Sequence, residues 1–471
     1  KILPRVQAPA FQHAVTEQTF ARSIRHLNEP FVIVCGHGDT GSMLVRALGL
    51  QGLRAVVVDS DPERINAISL ENYEAHVPGL LADAGHSEPL REAGLLNPHC
   101  AGVVAITGCD EVNLKIAITC KLLNPELKVI CRADSHDTEA NMASFGTDQI
   151  INSFDVFADR LALALHSPAS YLVHEWLTSV PGSPLSNPLY PSLGTWILCG
   201  YGRFGKAVQK NLSREGGSTI IIESDPEGAE CVGQCVVGRG TEAETLEQAD
   251  IEDAVGIVAG TDSDANNLSI IMTARMLKPE LFMVARQNER GNEEIFDAAH
   301  LDLVMHRSET IARKVLVTLT SPMLRQFLGL IRGYSNDWAN QLVSRLVAIT
   351  GEAVPETWTV AIDAEEAPAI MQCLAEGGSI RLDDITRDPR ERDAYLPVLP
   401  LLLVRGTKTT VLPDRHTAVQ PEDRILLCSR SGVRQRMLWS LGNENVLRYI
   451  QTGEEHPSGL LWRWLTSRSA A

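Results

Sequence analysis

Two segments of this chain place glycines, a carboxylate and short apolar runs where phosphate recognition needs them. FVIVCGHGDTG at 31–41 runs an apolar strand pattern into Gly36, Gly38 and Gly41, and TWILCGYGRFG at 195–205 repeats it with Gly200, Gly202 and Gly205. In such a turn the first glycine lets the chain bend tightly off the strand. The second removes a Cβ where a pyrophosphate must approach, and the third lets the next helix pack closely, leaving its N-terminal amides for the phosphates. A second apolar strand then ends in an acid, Asp59 in the first copy and Glu223 in the second, each 23 positions after the first glycine. A carboxylate there accepts hydrogen bonds from an adenosine ribose and repels a 2′-phosphate, so a nicotinamide cofactor would be NAD(H) rather than its phosphorylated form.

The residues around these anchors complete two candidate sites. In the first they are His37, Asp39, Thr40, Ser60, Asp83, Ala84 and Thr107; in the second, Tyr201, Arg203, Phe204, Ser224, Arg239 and Thr261. The two are chemically unequal. Asp39 in the first phosphate turn disfavours anions unless it points outward or meets a cation, whereas Arg203 at the matching position favours them. After the third strand the first copy reads LADAG and keeps Asp83, while the second reads VGRGT and carries Arg239. The expectation is an NAD adenosine in the first site and a more highly phosphorylated adenine nucleotide, ADP or ATP, in the second. The runs Asp59-Ser60-Asp61 and Asp262-Ser263-Asp264 supply carboxylates that suit a divalent cation, although solvated surface charge is the simpler explanation.

Thr107, Asp110 and Asn113 recur as Thr261, Asp264 and Asn267, and Arg132 and Arg286 each follow their threonine by 25 positions. The chain therefore contains one unit twice, with an apparent deletion of about ten residues between the acid and the threonine of the second copy. Strand candidates in the first copy are FVIVCG, RAVVVDS, EAHVPG, GVVAIT, KVICRA and QIINS, separated by stretches of helical periodicity such as DEVNLKIAITCKLLN. Short, strongly apolar strands alternating with helices predict a parallel sheet covered on both faces. The fold class is α/β: two tandem Rossmann-like, doubly wound parallel-sheet domains, followed by a smaller α+β C-terminal subdomain.

The expected divisions are 1–30, a linker or helix; 31–150, the first Rossmann lobe; 151–194, helices and a Pro-, Ser- and Gly-rich linker; 195–305, the second lobe; 306–344, matching helices; and 345–471, the C-terminal subdomain and tail. In that last part TWTVAI, SIRLDDI and LPLLLVR read as strands, and TTVLPDRHTAVQPEDRILLCS as strand, turn and final strand.

Composition bounds the function. Of 471 residues 44% are hydrophobic and 21% charged, which is ordinary globular usage and excludes a low-complexity chain. Forty-two Lys and Arg against 59 Asp and Glu give a net charge of −17, which argues against nucleic acid as a partner. The longest apolar run, LPVLPLLLV at 396–404, is strand-sized and holds two prolines, so no spanning helix is expected. Ten cysteines lack CxxC spacing, the closest pair being Cys231 and Cys235, and read as reduced and mostly buried in an intracellular protein. The chain begins at Lys1 rather than Met, which suggests that an upstream segment was removed, and no basic-then-apolar leader marks a secretory signal.

GHGDTG, GYGRFG, the DSDPE and ESDPE strand ends, the ADAG loop, TGCDEVN, TDSDANN, LNPELKVICRA and LKPELFMVARQ together resemble the RCK or KTN domain. That family comprises the cytosolic ligand-sensing modules of potassium channels and of Trk-type potassium uptake systems. The resemblance covers both Rossmann units and implies a regulatory role, in which bound nucleotide shifts paired lobes and the movement reaches a membrane potassium channel pore. It implies that NSFDVFADRLALALHSPASYLVHEWL and HRSETIARKVLVTLTSPMLRQFLGLI cross over to a partner lobe as a dimer seam. It further implies a homo-oligomer, a tetramer presenting eight lobes as a ring at the inner face of the cell membrane, and a C-terminal subdomain of the TrkA-C type. The pore would lie upstream of Lys1 in the same polypeptide; a free-standing Trk-type regulatory subunit is the alternative. An NAD-dependent oxidoreductase is the reading from another class. It needs an acid or base over the nicotinamide, for which His37, His76 and His86 are the candidates, and none sits in a pattern that specifies a reaction. No catalytic residue is assigned.

Overall fold

The computed structural model describes residues 19–454. They form two compact units, one holding both repeats and the other holding residues 166–189 with the part from Val317 onward. Residues 1–18 of the expected leading helix and linker, and the tail from 455, lie outside the described residues.

In the first unit, residues 19–25 are helical (α1), and the first lobe then alternates strand and helix. Its elements are β1 (Phe31–Cys35), α2 (Asp39–Leu50), β2 (Arg54–Asp59), α3 (Pro62–Ile68), β3 (Gly79–Leu81), α4 (Ser87–Glu92), β4 (Cys100–Ala105), α5 (Asp110–Leu123), β5 (Val129–Arg132), α6 (His136–Ser144) and β6 (Gln149–Ile151). The sheet order is β3-β2-β1-β4-β5-β6, with all neighbours parallel. β1 is buried along its whole length, as the unbroken apolar run FVIVC requires when helices cover both faces.

The second lobe repeats the plan with β7 (Thr195–Cys199), α9 (Arg203–Arg214), β8 (Ser218–Glu223), β9 (Gln234–Val237), α10 (Ala243–Gln248), β10 (Ala254–Ala259), α11 (Asp264–Leu277), β11 (Phe282–Gln287), α12 (Glu293–Ala298) and β12 (Leu303–His306). Its order, β12-β11-β10-β7-β8-β9, is the same arrangement read from the other edge. The ten-residue deletion has a structural meaning. No helix matching α3 joins β8 to β9, and the chain crosses there in a turn.

Between the lobes run two long helices, α7 (Ser153–His166) and α13 (Arg307–Thr320). Phe154, Phe157, Ala158 and Leu161 of α7 share a core with Trp196, Leu198, Phe204, Val208, Val258, Val284 and Met305 of the second lobe. The helix that ends the first repeat therefore covers the second lobe's sheet, and the crossover occurs within one chain.

In the second unit α8 (Pro168–Thr178), α14 (Pro322–Ile331) and α15 (Asn336–Thr350) pack their apolar faces with β16 (Val398–Arg405) and β18 (Arg424–Ser429). β13 (Glu356–Ala361) and β17 (Lys408–Val411) complete an antiparallel sheet of order β13-β18-β16-β17. In the turn before β18, Asp423 is fully buried and accepts two bonds of 2.7 Å from Arg405, through Nε and Nη2.

Two strand expectations are corrected. EAHVPG does not pair over 74–78; Val57 N–H donates to the Pro78 carbonyl, and the ladder starts at Gly79, because Pro78 has no N–H to give. SIRLDDI is not a strand but leads into a short helix, α17 (Leu382–Thr386). Asp384 reaches back to the Arg381 N–H at 2.8 Å, and Asp383 and Asp384 in the first turn favour the helix N-terminus. Among the described residues no helix is long and apolar enough to cross a membrane.

Candidate functional site

Each lobe carries a cleft at the C-terminal ends of its strands, where the chain order reverses about the first strand. The three glycines of each turn divide the work expected of them. Gly36 and Gly200 adopt φ of +102° and +92°. A Cβ on Gly41 would sit 2.1 Å from the Gly36 carbonyl oxygen, and one on Gly205 would sit 2.2 Å from that of Gly200, so these glycines close the turn onto the helix. A Cβ on Gly202 meets nothing within 4 Å, and one on Gly38 meets only the Arg64 guanidinium, at 3.8 Å. The middle glycines leave space in the open cleft, where phosphates would approach.

The acids close the turn from the other side. Asp59 Oδ2 accepts the His37 N–H at 2.5 Å and Asp59 Oδ1 accepts the Asp61 N–H at 2.8 Å. Glu223 Oε2 accepts the Tyr201 N–H at 2.7 Å, and its Oε1 accepts the Ser224 N–H and Oγ–H at 2.7 and 2.9 Å. Burial alone would raise the Glu223 carboxyl, but the amides of Tyr201, Asp225 and Ser224 outweigh it and hold the group below the usual glutamate value.

The first cleft, about 460 Å³, is lined by Gly36, Gly38, Asp39, Thr40, Gly41, Asp59, Ser60, Asp83, Ala84 and Thr107, all expected from sequence. Asp39 is exposed at the N-terminus of α2. Arg64, which sequence reading missed, lies 3.6 Å from Asp59 and 3.4 Å from Asp61 and brings a cation to this cleft. The second cleft, about 610 Å³, is lined by Gly200, Tyr201, Gly202, Arg203, Glu223, Ser224, Arg239 and Thr261, with Lys206 and Arg286 adding positive charge.

Three expected residues lie elsewhere. His37 turns away from the cleft, is 3% exposed, and bonds Tyr73 Oη through Nε2 at 2.9 Å. Burial pushes its pKa below the ordinary histidine value, so the ring is neutral at neutral pH. Phe204 is buried under α7 against Phe154 and Phe157, at ring separations of 6.0 and 5.5 Å. Gly205 packs against the turn rather than lining the cleft.

The Asp and Asn of each Thr, Asp and Asn triplet turn out to be scaffold. Asn113 Oδ1 accepts from the Thr107 N–H and hydroxyl at 3.0 and 2.8 Å, and its Nδ2 donates to the carbonyls of Thr107 and Arg132. Asn267 repeats the pattern with Thr261 and Arg286. Asp110 accepts the amides of Asp134 and Ser135, and Asp264 those of Asn288 and Glu289. These bonds lock the ends of the fourth and fifth strands of each lobe together, which fixes Arg132 and Arg286 at the clefts. They also engage Asp59, Asp61 and Asp264 with the protein's own amides, while Asp262 pairs with Arg286 at 2.7 Å. Among the described residues, the His, Asp and Glu atoms that do converge are those of His136, Glu139 and Asp155, within 4.8 Å of one another.

One residue of each cleft comes from the other repeat. Phe154, at the start of α7, lines the second cleft, and Ser308, at the start of α13, lines the first. Beside Ser308, Arg307 bonds Asp134 of the first lobe, which Arg132 also grips at 2.7 Å. Burial works to raise the Asp134 carboxyl, but Arg132 and Arg307 outweigh it and hold its pKa at about 2. Sequence spacing alone could not have found these contacts, because each spans two repeats.

Two Rossmann lobes, each with a glycine turn and an acid anchored to it, define a tandem nucleotide-binding class. The chain carries the TrkA-N domain twice, over residues 32–153 and 196–307, and is a tandem TrkA-N protein. It is 34% identical over 97 residues to potassium channel protein 1 of Methanocaldococcus jannaschii, covering 19% of this chain and 29% of that one. It is 29% identical over 222 residues to the Trk system potassium uptake protein TrkA homolog of Methanothermobacter thermautotrophicus, covering 46% of this chain and 92% of that one. Relatives differ in how much of them this chain spans: 29% of the channel protein, and 60% of the Pyrococcus abyssi TrkA homolog. The solved GsuK channel bound to NAD has a like fold, with a TM-score of 0.51 at 13% identity over 88% of this chain and 80% of that one.

Proposed function

We propose that this chain is a nucleotide-binding regulatory module of potassium transport. In this reading a nucleotide in either cleft shifts the orientation of the paired lobes, and the movement passes to a membrane potassium pore. The carrying observation is that each cleft is completed by a residue of the other repeat's crossover helix, Phe154 or Ser308, so a ligand touches both lobes at once. A ligand can shift a lobe equilibrium only through such differential contact. The names of the potassium channel and TrkA relatives give the transported ion, and the NAD-bound GsuK structure favours a dinucleotide as one ligand.

The two clefts would prefer different ligands. Arg203, Lys206, Arg239 and Arg286 line the second against Glu223, Asp225 and Asp262, whereas Arg64 and Arg132 line the first against Asp39, Asp59 and Asp83. NAD(H) suits the less positive first cleft, and ADP or ATP suits the second.

Assembly would proceed through matching surfaces. Ile118 and Leu122 on α5 are 37% and 77% exposed, and Met272 and Met276, at the corresponding positions of α11, are 64% and 85% exposed. An apolar stripe repeated on both lobes fits a ring of four chains and eight lobes at the inner face of the membrane. The pore would belong to the same polypeptide or to a separate subunit. The oxidoreductase reading has less support, because His37 is turned onto Tyr73 and His86 sits 3.6 Å from Asp83, and neither lines the first cleft.

Calorimetric titration of the full chain with NAD, ADP and ATP tests this, alongside Gly38→Asp and Gly202→Asp, each of which fills one phosphate turn. Each variant is expected to lose one ligand preference and keep the other. A single common preference would refute the division of ligands. No nucleotide binding by the unsubstituted chain would refute the whole reading.

A further inference from the structure

Phe154 and Ser308 stand at equivalent places in the two repeats, 154 positions apart, the same offset that relates Thr107 to Thr261 and Arg132 to Arg286. Every other cleft position is filled by the lobe's own chain. These two are exchanged between lobes, and they are as different as side chains can be: a phenyl ring and a hydroxymethyl group.

The ring has unusual company. The guanidinium carbons of Arg286, Arg307 and Arg203 lie 5.1, 5.3 and 5.7 Å from the centre of Phe154. Phe154 is 2% exposed and Arg286 only 9% exposed, so both are held firmly. Within this cluster Asp262 pairs with Arg286 and Asp134 with Arg307. The Nε atoms of Arg286 and Arg307 are buried without a hydrogen-bond partner. Buried guanidinium N–H groups left unpaired are costly, and Arg286, which lines the cleft, is the one an anion arriving at that end would meet.

The geometry points to the residue exchanged between lobes as the determinant of which nucleotide each cleft accepts, a conclusion that rests on the nucleotide-binding reading above. In a Rossmann cleft the adenosine lies on the side of the ribose-binding acid. Whatever follows the pyrophosphate lies over the fourth and fifth strands, the side of Thr261 and Arg286 in one lobe and of Thr107 and Arg132 in the other. There Phe154 backs the second cleft with a buried ring crowned by guanidiniums, which suits free terminal phosphates better than a second nucleoside. Ser308 leaves that end of the first cleft open and offers a hydroxyl, which suits the second ribose of a dinucleotide. The larger volume of the second cleft does not contradict this. Asp225, Gly228 and Ala229 line it on the adenosine side, where the missing helix between β8 and β9 leaves it open.

The test is an exchange of the two residues in the full chain, read by titration calorimetry with ATP, ADP and NAD. Phe154→Ser is measured with the first cleft closed by Gly38→Asp, and Ser308→Phe with the second closed by Gly202→Asp. Phe154→Ser is expected to shift the ratio of NAD to ATP affinity about tenfold toward NAD. Ser308→Phe is expected to weaken NAD about tenfold while ADP changes less. Because Phe154 also packs a core, Phe154→Leu accompanies it as a variant that keeps the apolar volume; it is expected to weaken ATP relative to AMP by removing the face that orders the guanidiniums. Ratios that stay within about threefold in all three variants would overturn the assignment. Failure of the unsubstituted chain to bind any of these nucleotides would instead overturn the underlying reading, and is visible before any substitution is made.

Discussion

Replacing Asp134 by Asn tests the seam between the lobes most directly. Asp134 is 7% exposed, and Arg132 and Arg307 both bond its carboxylate. Its pKa of about 2, against an ordinary 3.8, corresponds to about 2 kcal/mol of stabilisation at about 1.4 kcal/mol per pH unit. Since the folded value is depressed, that contribution is present in full above about pH 4 and disappears as the pH falls through about 2. Substitution should cost more than protonation, about 3–5 kcal/mol, because it strands the buried Arg132 and the half-buried Arg307, whose Nε is already unpaired. The second repeat shows the neutral solution to the same problem, with Asn288 where the first has Asp134 and Ser153 where the second has Arg307. The double variant Asp134→Asn, Arg307→Ser should therefore recover at least about 1.5 kcal/mol of the loss. Urea unfolding at several pH values, with hydrogen exchange followed along α13, gives both numbers. A loss below about 0.5 kcal/mol for Asp134→Asn, or a difference from the unsubstituted chain that does not shrink between pH 4 and 2, would refute the argument.

Three other outcomes follow from the structure. Gly205→Ala places a methyl 2.2 Å from the Gly200 carbonyl oxygen and should lower stability by about 1–3 kcal/mol, measured by thermal or urea unfolding. Gly202→Ala adds its methyl to open space and should leave stability within about 0.5 kcal/mol while weakening nucleotide binding at least about tenfold, as titration would show. The double variant Leu122→Glu, Met276→Glu puts charge on both apolar stripes and should reduce the mass measured by light scattering without lowering the melting temperature; an unchanged mass would place the assembly surface elsewhere.

Much of this protein was legible in its sequence, for identifiable reasons. Strand and helix periodicities are local, so the order of elements could be read directly, and a duplicated motif confirms itself. Glycines at Gly36 and Gly200 report a backbone requirement that no other residue meets well, so their role survives without coordinates. The misreadings arose where a local signal was ambiguous. SIRLDDI alternates like a strand but is turned into a helix start by Asp384, and EAHVPG holds a proline, Pro78, after which pairing starts only at Gly79.

Amino-acid order alone thus determined two Rossmann lobes, their glycine turns and the acids that end the second strands, because these are local patterns within a span of some 25 residues. It could not show that Asn113 and Asn267 are rivets rather than ligand contacts, since a carboxamide suits either role and only the fold shows its Nδ2 donating to the Arg132 or Arg286 carbonyl. Nor could it place Phe154 in the second cleft, Ser308 in the first, or Arg307 on Asp134, 173 residues away. Only the folded chain carries each crossover helix onto the opposite lobe. The contacts that would couple one nucleotide site to the other are long-range pairings that no local pattern encodes.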